Sequence, residues 1–307
     1  MTTIQEGLTK DANVVLLTLD GVRYQEFFDK KIFTRYWNSY ASKGIVIGDP
    51  DQKSKVKVSN LMVLSLPGYR SMHLGSRSFC YSNNCGNVKR QTVGEKVLEQ
   101  LSLASEKVAI ISSWSMVCKA GMQKESKLFN SCGDRPVESN GHDEINTQQA
   151  GDHPTKWSGR FDKYTFAHGI KYLEQKKPRF MHLSLLDSDE HAHDDNWKGY
   201  LNSLKAYDLY IDRLFKKLLE LGEYGKRTTV IITTDHGRGK GKKWTGHTLS
   251  PAAAKIFMAF HGPDIPNKGS VSHKKKITHL HLRPLIELIL GLKKIKGRHR
   301  LSDLVFE

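Results

Sequence analysis

The sequence predicts an α/β fold with a central, mostly parallel sheet and helices on both of its faces. Short apolar runs rich in β-branched residues recur along the chain, and amphipathic segments with helical spacing lie between them. Buried parallel strands are apolar throughout, and strands that alternate with helices form sheets whose two faces the helices cover.

Five apolar runs are the predicted strands. The first extends from Asn13 to Leu19 and is short enough for a strand rather than a buried helix. The other four are Lys107 to Ser112, Phe180 to Leu186, Thr228 to Thr233, and Ile256 to Phe260.

Three helices are predicted between or after these strands. Thr92 and Glu95 have the spacing of a capping box, which predicts a helix through about Leu103. Apolar residues at helical spacing predict a second helix over Tyr200 to Leu221 and a last one over His281 to Leu292.

Residues 118–160 are rich in Gly, Ser, Asn, Asp and Gln and have little periodicity. We interpret them as an insertion or cap over the sheet edge, within a single catalytic domain that spans residues 1–307.

The composition limits the class of protein. Of the 307 residues 38% are hydrophobic, which suffices for a core, and no apolar run is long enough for a transmembrane helix. The net charge is +16, with lysine and arginine concentrated at Lys240 to Lys243, His273 to Lys276 and Lys293 to Arg300. Such basic stretches are either solvated faces or surfaces that attract polyanions and phosphorylated substrates.

The four cysteines are Cys80, Cys85, Cys118 and Cys132. They allow two disulfides in an exported protein or four free thiols in a cytosolic one. Met1 to Asp11 has no apolar segment of a signal peptide, which suits a cytosolic protein or an exported one whose leader has been replaced. The exported alternative is slightly favoured.

Polar side chains follow three of the predicted strands. Asp20 follows the first strand, Asp187 to His193 follows the third, and Asp235 and His236 end the fourth, with His247 eleven residues later. Strand ends are where an open α/β sheet places its chemistry, and carboxylates with imidazoles are the ligands of zinc-like ions. Adjacent Asp and His at the end of a buried strand are hard to explain by packing, because burying unpaired charge is costly.

The middle segment contains the pattern Asp-x-x-x-His twice in overlapping register. Asp187 with His191 and Asp189 with His193 can each point a carboxylate and an imidazole at one ion. The alternative for both is a polar surface loop. The residues alone leave the two registers open.

Ser65 is the candidate nucleophile. It follows the apolar segment Leu61 to Leu64 and begins the sequence Ser-Leu-Pro-Gly-Tyr-Arg, which could turn sharply and expose the hydroxyl. The alternative is an ordinary loop serine. A neighbouring metal ion would lower the pKa of the hydroxyl and make it nucleophilic near neutral pH.

In this order, the motifs resemble the alkaline phosphatase superfamily, above all its phosphodiesterase, nucleotide pyrophosphatase and phosphoglyceromutase-like branch. The resemblance extends from about residue 13 to residue 262. The matching phrases are Leu-Thr-Leu-Asp20-Gly-Val-Arg, Ser65-Leu-Pro-Gly-Tyr, Asn83-Asn84-Cys85-Gly86, Asp187-Ser-Asp-Glu-His-Ala-His193 and Thr-Thr-Asp235-His236-Gly-Arg-Gly.

The resemblance implies two divalent ions, usually zinc, with manganese or iron as alternatives, roughly 4 Å apart. Two ligand sets follow from it, with Asp189/His193 as the preferred register because Ala192-His193 resembles the family's small residue followed by His. One ion is held by Asp189, His193 and His247, and the other by Asp20, Asp235, His236 and the Ser65 oxygen.

The resemblance also implies an activity. Ser65 would attack a phosphoric ester in line and form a phosphoserine intermediate, and water would then hydrolyse it. Asn84, or its neighbour Asn83, lies where this branch places an amide that contacts a non-bridging oxygen of the substrate. The expected substrate is a phosphorylated small molecule or nucleotide.

Four alternatives remain. A sulfatase would carry Ser-x-Pro-x-Arg, but Arg70 comes one residue too late for that signature. A phosphoethanolamine transferase usually has membrane helices, and a cofactor-independent phosphoglycerate mutase needs a longer chain. A basic nucleic-acid or polyanion-binding protein with a degenerate site would explain the charge, but not the retained ligand set.

Overall fold

A computed structural model describes residues 8–49, 51–52, 54–292 and 300–306. An eight-stranded sheet with the order β5-β4-β6-β1-β7-β8-β2-β9 forms the centre, and β3 and β10 form a small second sheet. The strands are β1 Asn13–Leu19, β2 Ile45–Ile47, β3 Val56–Lys57, β4 Val108–Ser112, β5 Phe129–Cys132, β6 Phe180–Leu185, β7 Thr228–Thr233, β8 Met258–His261, β9 Gly269–Ser270 and β10 Ile277–Thr278.

All neighbouring strands of the large sheet are parallel except for β8, which is antiparallel to β7 and β2. The helices are α1 Tyr24–Phe27, α2 Thr34–Ser39, α3 Ser65–Leu74, α4 Val93–Gln100, α5 Met116–Gly121, α6 Asp143–Ala150, α7 Asp162–Lys176, α8 Asp187–His193, α9 Trp197–Glu220, α10 Glu223–Lys226, α11 Leu282–Ile289 and α12 Arg300–Phe306.

Both faces of the sheet are covered. Alternate residues of a strand point to opposite faces, and on β1 Val14 packs into one apolar cluster while Val15 packs into the other. Residues of α4 and α11 belong to the first cluster, and residues of α7 and α9 belong to the second. The predicted α/β fold with a mostly parallel sheet is confirmed.

The predicted helices form close to their expected positions. The capping box is complete, with the Thr92 N–H donating to Glu95 Oε2 at 2.8 Å, but α4 ends at Gln100, just before Ser102 adopts a positive φ of 49°. The helix expected from Tyr200 begins earlier, at Trp197, because the Asn196 side chain accepts the Gly199 N–H at 2.9 Å. The helix expected from His281 begins at Leu282 and ends at Ile289.

Residues 118–160, predicted to be an insertion, contribute to the large sheet. They contain β5, which pairs with β4 at the sheet edge, and the helix α6. A disulfide between Cys118 and Cys132 joins α5 to β5, and a second one between Cys80 and Cys85 closes a short loop.

The central strands bring the sequence motifs together. β1 lies between β6 and β7 and is parallel to both, so the three carboxyl ends meet at one edge. Asp20 follows β1, Asp187 to His193 follow β6, and Asp235 follows β7 at this edge.

Two basic stretches lie within the described residues, and lysines 240, 242, 243 and 274–276 in them are exposed. Residues 293–299 and 1–7 lie outside the described part. Among the described helices, none combines the length and the apolar character that a membrane crossing requires.

Candidate metal centre

Two buried carboxylates lie beside a buried imidazole at the carboxyl edge of the sheet. Ligand atoms of Asp20, Asp235 and His236 lie within 4.8 Å of one another. The Tyr69 hydroxyl donates to Asp20 Oδ2 at 2.9 Å, and the Gly21 N–H donates to Asp235 Oδ1 at 3.1 Å. The second oxygen of each carboxylate, Asp20 Oδ1 and Asp235 Oδ2, is buried without a partner. Such unpaired buried oxygens are costly unless a cation binds them.

Gly21 permits this close arrangement. Its φ is +67°, in the left-handed region that favours glycine, and a Cβ at this position would lie 2.2 Å from Asp189 Oδ1. Glycine is therefore required at position 21, both for the left-handed backbone conformation and for the space that the Asp189 carboxylate occupies.

His236 presents one ring nitrogen to the carboxylates. Its Nδ1 is 2.9 Å from the Gly237 carbonyl, which can only accept, so Nδ1 carries the proton and Nε2 carries a lone pair. Nε2 lies 3.3 Å from Asp235 Oδ2 and 3.9 Å from Asp20 Oδ1. Burial lowers the pKa of His236 to about 4, which keeps the ring neutral, as a metal ligand must be.

A second group shares His236. Ligand atoms of Asp189, His236 and His247 also lie within 4.8 Å of one another. The Nδ1–H of His247 donates to the Val63 carbonyl at 2.6 Å, so its Nε2 is the free nitrogen, and its ring stacks on His236 with centroids 4.0 Å apart. Burial, with the neighbouring His236, lowers the pKa of His247 to about 3.

His193 reaches the same group from α8. Its Nε2 lies 3.0 Å from Asp189 Oδ2, and its side chain is 49% exposed. The hydrogen bond with Asp189 raises the pKa of His193.

The helical form of α8 separates the two registers of the middle motif. Residues four apart lie on one face of a helix, so Asp189 and His193 point to the centre together. Asp187 instead accepts the Asp162 N–H at 3.1 Å. The His191 ring packs on Trp157 with centroids 4.8 Å apart. Of the two registers, only Asp189 belongs to the metal-ligand groups found among the described residues; His193 contacts Asp189 but belongs to neither group, and its predicted role as a ligand stays a prediction.

Arg238 is a functional candidate that the sequence reasoning missed. It is fully buried, and its Nη2 donates to Asp189 Oδ1 and, at 2.9 Å, to the Asp189 carbonyl. Burial alone would raise the pKa of Asp189, but Arg238 and then His193 hold it well below its usual range. No local sequence pattern marks this residue, because Arg238 and Asp189 are 49 positions apart in the chain.

Ser65 is the first residue of α3 and is buried. Its Oγ lies 3.1 Å from His236 Nε2, next to the first carboxylate pair. Asn83 Oδ1 accepts the N–H of Leu66 at 3.1 Å, which places Asn83 beside the nucleophile candidate. Asn84 is exposed, and its N–H donates to Ser82 Oγ at 3.2 Å.

The electrostatics favour a bound cation at the first group. Burial, followed by the nearby charges of Asp235 and Asp189, raises the pKa of Asp20 well above its usual value. Burial and Asp189 likewise raise the pKa of Asp235. A divalent cation would offset both the cost of burying these charges and the repulsion between them. The first group therefore fits an ion that prefers nitrogen and oxygen ligands. Its candidate ligands are Asp20, Asp235, His236 and the Ser65 oxygen. At the second group both Asp189 oxygens already have partners. An ion could bind Asp189 there only if it displaced Arg238 or His193.

Comparison with protein-family models also points to a metal-binding protein. A model of the Metalloenzyme superfamily matches residues 151–278. No curated protein sequence matches the chain.

Solved structures with the same fold include three that cover most of this chain. A protein in the alkaline phosphatase superfamily from Vibrio parahaemolyticus is 13% identical over 95% of this chain and 71% of its own, with a TM-score of 0.62. A phosphonate monoester hydrolase from Silicibacter pomeroyi is 11% identical over 94% and 75%, with a TM-score of 0.66. A 2-O GAG sulfatase is 12% identical over 94% and 72%, with a TM-score of 0.64.

The Metalloenzyme superfamily model covers less than half of the chain, and the solved structures share its fold. At the level of the fold, the resemblance to the alkaline phosphatase superfamily is confirmed.

Proposed function

We propose that this chain is a metal-dependent hydrolase of phosphoric esters in which Ser65 is the nucleophile. One observation carries the proposal: the Ser65 hydroxyl lies 3.1 Å from His236 Nε2, beside two buried carboxylates that each present an unpartnered oxygen. A hydroxyl next to a cation-binding group is the arrangement of metal-assisted nucleophilic catalysis.

The residues around Ser65 suit an anionic substrate. Ser65 opens the ten-residue helix α3, whose N-terminal N–H groups and dipole favour negative charge. Asn83, already bonded to the Leu66 N–H through its oxygen, has its amide NH2 as a donor for a non-bridging oxygen of the substrate.

The reaction then has two stages. Ser65 Oγ loses its proton and attacks the phosphorus in line, the P–O bond to the leaving group breaks, and the alkoxide departs with the bonding electrons and takes up a proton. Water then loses a proton and attacks the phosphoserine, the P–O bond to Ser65 breaks, and Ser65 Oγ takes up a proton again. An ion held by Asp20, Asp235 and His236 would supply positive charge that lowers the pKa of the hydroxyl and stabilises the reacting oxygens. We propose zinc as the ion, with manganese or iron as alternatives, and a phosphodiester as the preferred substrate.

A sulfatase is the second candidate function. A 2-O GAG sulfatase shares the fold. Against this candidate, the Arg70 guanidinium donates to the Gly86 carbonyl, so it binds the residue that directly follows the disulfide-closed loop. The spacing of Arg70 from Ser65 also departs from the sulfatase signature.

An activity panel on zinc-loaded protein tests the proposal. It compares an aryl phosphate diester, an aryl phosphate monoester and an aryl sulfate, and measures bound zinc. We expect diester hydrolysis that Ser65→Ala abolishes while zinc stays bound. Ser71→Ala, which removes another buried hydroxyl of α3, is the matched control and should retain turnover. Full activity of the Ser65→Ala variant, or a chain that binds nucleic acid but no metal, would overturn the proposal.

A further inference from the structure

Four of the six large apolar side chains that are exposed in the described part of the chain lie on segments that contact residues of the candidate centre or of α3. Six such side chains are exposed, and only Leu219 and Trp197 belong to the long helix α9. The other four define what we call the apolar rim: Leu61 is 82% exposed, Phe79 94%, Tyr81 53% and Leu249 83%.

Leu61 and Leu249 lie on adjoining segments next to the centre. The Val63 N–H donates to the Thr248 carbonyl at 3.3 Å, and the His247 ring donates to the Val63 carbonyl. The two leucines are therefore within two residues of contacts that hold a proposed metal ligand and the segment leading to Ser65.

Tyr81 lies in the loop that the disulfide Cys80–Cys85 closes, and Phe79 directly precedes this loop. The loop contacts α3 through Asn83, which accepts the Leu66 N–H, and Gly86, which directly follows the loop, accepts from Arg70. The rim thus flanks the N-terminus of the helix that carries Ser65.

The charged side chains in the segments that carry the apolar rim are all basic. Residues 52–94 and 236–263 contain no aspartate or glutamate. Exposed cations beside the rim include Arg77, two residues before Phe79, and Lys240, Lys242 and Lys243, which precede His247. Exposed apolar side chains within a cationic surface are typical of proteins that bind an anionic membrane interface.

We propose that the apolar rim and the surrounding lysines form a docking surface for an anionic lipid bilayer. The apolar side chains enter the headgroup region, and the cations contact the anionic headgroups. A nucleic acid is less suitable, because Leu61 and Leu249 are aliphatic and offer no ring for base stacking. A second copy of the chain is also less suitable, because the two contacting surfaces would both be cationic.

Vesicle co-sedimentation tests this docking without any turnover. Equimolar phosphatidylglycerol and phosphatidylcholine vesicles are compared with pure phosphatidylcholine, at about 0.05 M and about 0.5 M salt. We expect binding to the anionic vesicles that falls at high salt. The double variant Leu61→Ser/Phe79→Ser should lose about a hundredfold in affinity, because burying each of the two large apolar side chains contributes about tenfold.

Two further variants make the result specific. Leu219→Ser, an equally exposed leucine away from the rim, should bind like the unchanged chain. Lys242→Gln/Lys243→Gln should lose about fivefold for each lysine at low salt, and little at high salt.

Three results would overturn the docking proposal: full binding by the rim variant, equal binding to the two kinds of vesicle, or light scattering that shows a dimer which the rim variant dissociates. The Ser65→Ala variant should still bind vesicles, so a failed hydrolase proposal and a failed docking proposal give different outcomes.

Discussion

Replacing Asp235 with asparagine should change the stability of the protein in opposite directions with and without bound metal. In the metal-free protein, Asp235 Oδ2 and Asp20 Oδ1 are both buried without a partner. Asparagine keeps the oxygen that accepts the Gly21 N–H and presents an NH2 group, which can donate to the free oxygen of Asp20. With metal, the same change removes a charged ligand.

The magnitude follows from the distances. Two unit charges 4.8 Å apart, the upper limit between ligand atoms in this group, repel by about 3.5 kcal/mol at an effective dielectric constant of about 20. The chelated variant should therefore gain up to about 3 kcal/mol at a pH where both carboxylates are ionised, or roughly 6 °C in melting temperature. Zinc at about a thousand times its dissociation constant stabilises the unchanged chain by about 4 kcal/mol, and the variant should lose most of this.

Thermal denaturation at pH 9, with chelator and with zinc, measures both changes. Asp208→Asn is the matched control: Asp208 is also buried, but it accepts the Tyr36 N–H at 2.8 Å and the Arg35 N–H at 3.0 Å, far from the centre. Its variant should lose the same stability in both conditions. Equal destabilisation of Asp235→Asn with and without zinc would refute the reasoning that these carboxylates bind an ion.

Three more predictions concern neighbouring groups. Asn83→Ala should lower kcat/KM for an aryl diester about tenfold or more, because the variant loses a donor to a charged oxygen of the substrate. Asn84 is exposed, and Asn84→Ala should change kcat/KM little. A larger effect of Asn84→Ala than of Asn83→Ala would contradict the assignment of Asn83 as the substrate contact. Arg238→Gln should raise the affinity for zinc at Asp189, because the guanidinium of Arg238 occupies the Asp189 carboxylate. Competition with a chelating dye measures this affinity. Weaker zinc binding would show that Arg238 supports Asp189 as a ligand instead. Burial lowers the pKa of His73 to about 3, so as the pH falls the unfolded chain takes up a proton at His73 before the folded chain does. The free energy of unfolding should therefore fall by about 2 kcal/mol as the pH drops from 7 to 5. Denaturant titrations of His73→Gln should show a weaker dependence of stability on pH, and an unchanged dependence would contradict this reasoning.

The central strands could be predicted because each is a continuous apolar run between polar residues. Runs such as β1 and β7 are buried on both faces, which leaves a strong signal in the sequence. Strands β2, β3, β9 and β10 have two or three residues, too few for any pattern. Tertiary contacts alone place those short strands.

The helices at the site were harder to predict. The segment of α8 is polar almost throughout, so no apolar periodicity marks it, yet its helical form decides which Asp and His face the centre. Helix α3 was expected to be a sharp turn. Pro67 in its first turn and Gly75 in the left-handed conformation at its end were signals that fit a helix. The contact of Arg238 with Asp189 joins the segment after β7 to the helix α8, and no local pattern describes it.

The order of the sheet also bears on how the protein is made. The strand β1 is synthesised before its neighbours in the sheet, β6 and β7, which come more than 150 residues later. During translation Asp20 therefore lacks Asp235 and His236, the other members of its candidate ligand group, until they have left the ribosome, because the chain emerges from its amino end. If the chain binds the proposed ion, loading is therefore a late event in biogenesis, and a nascent chain stalled before residue 235 should retain no zinc at Asp20.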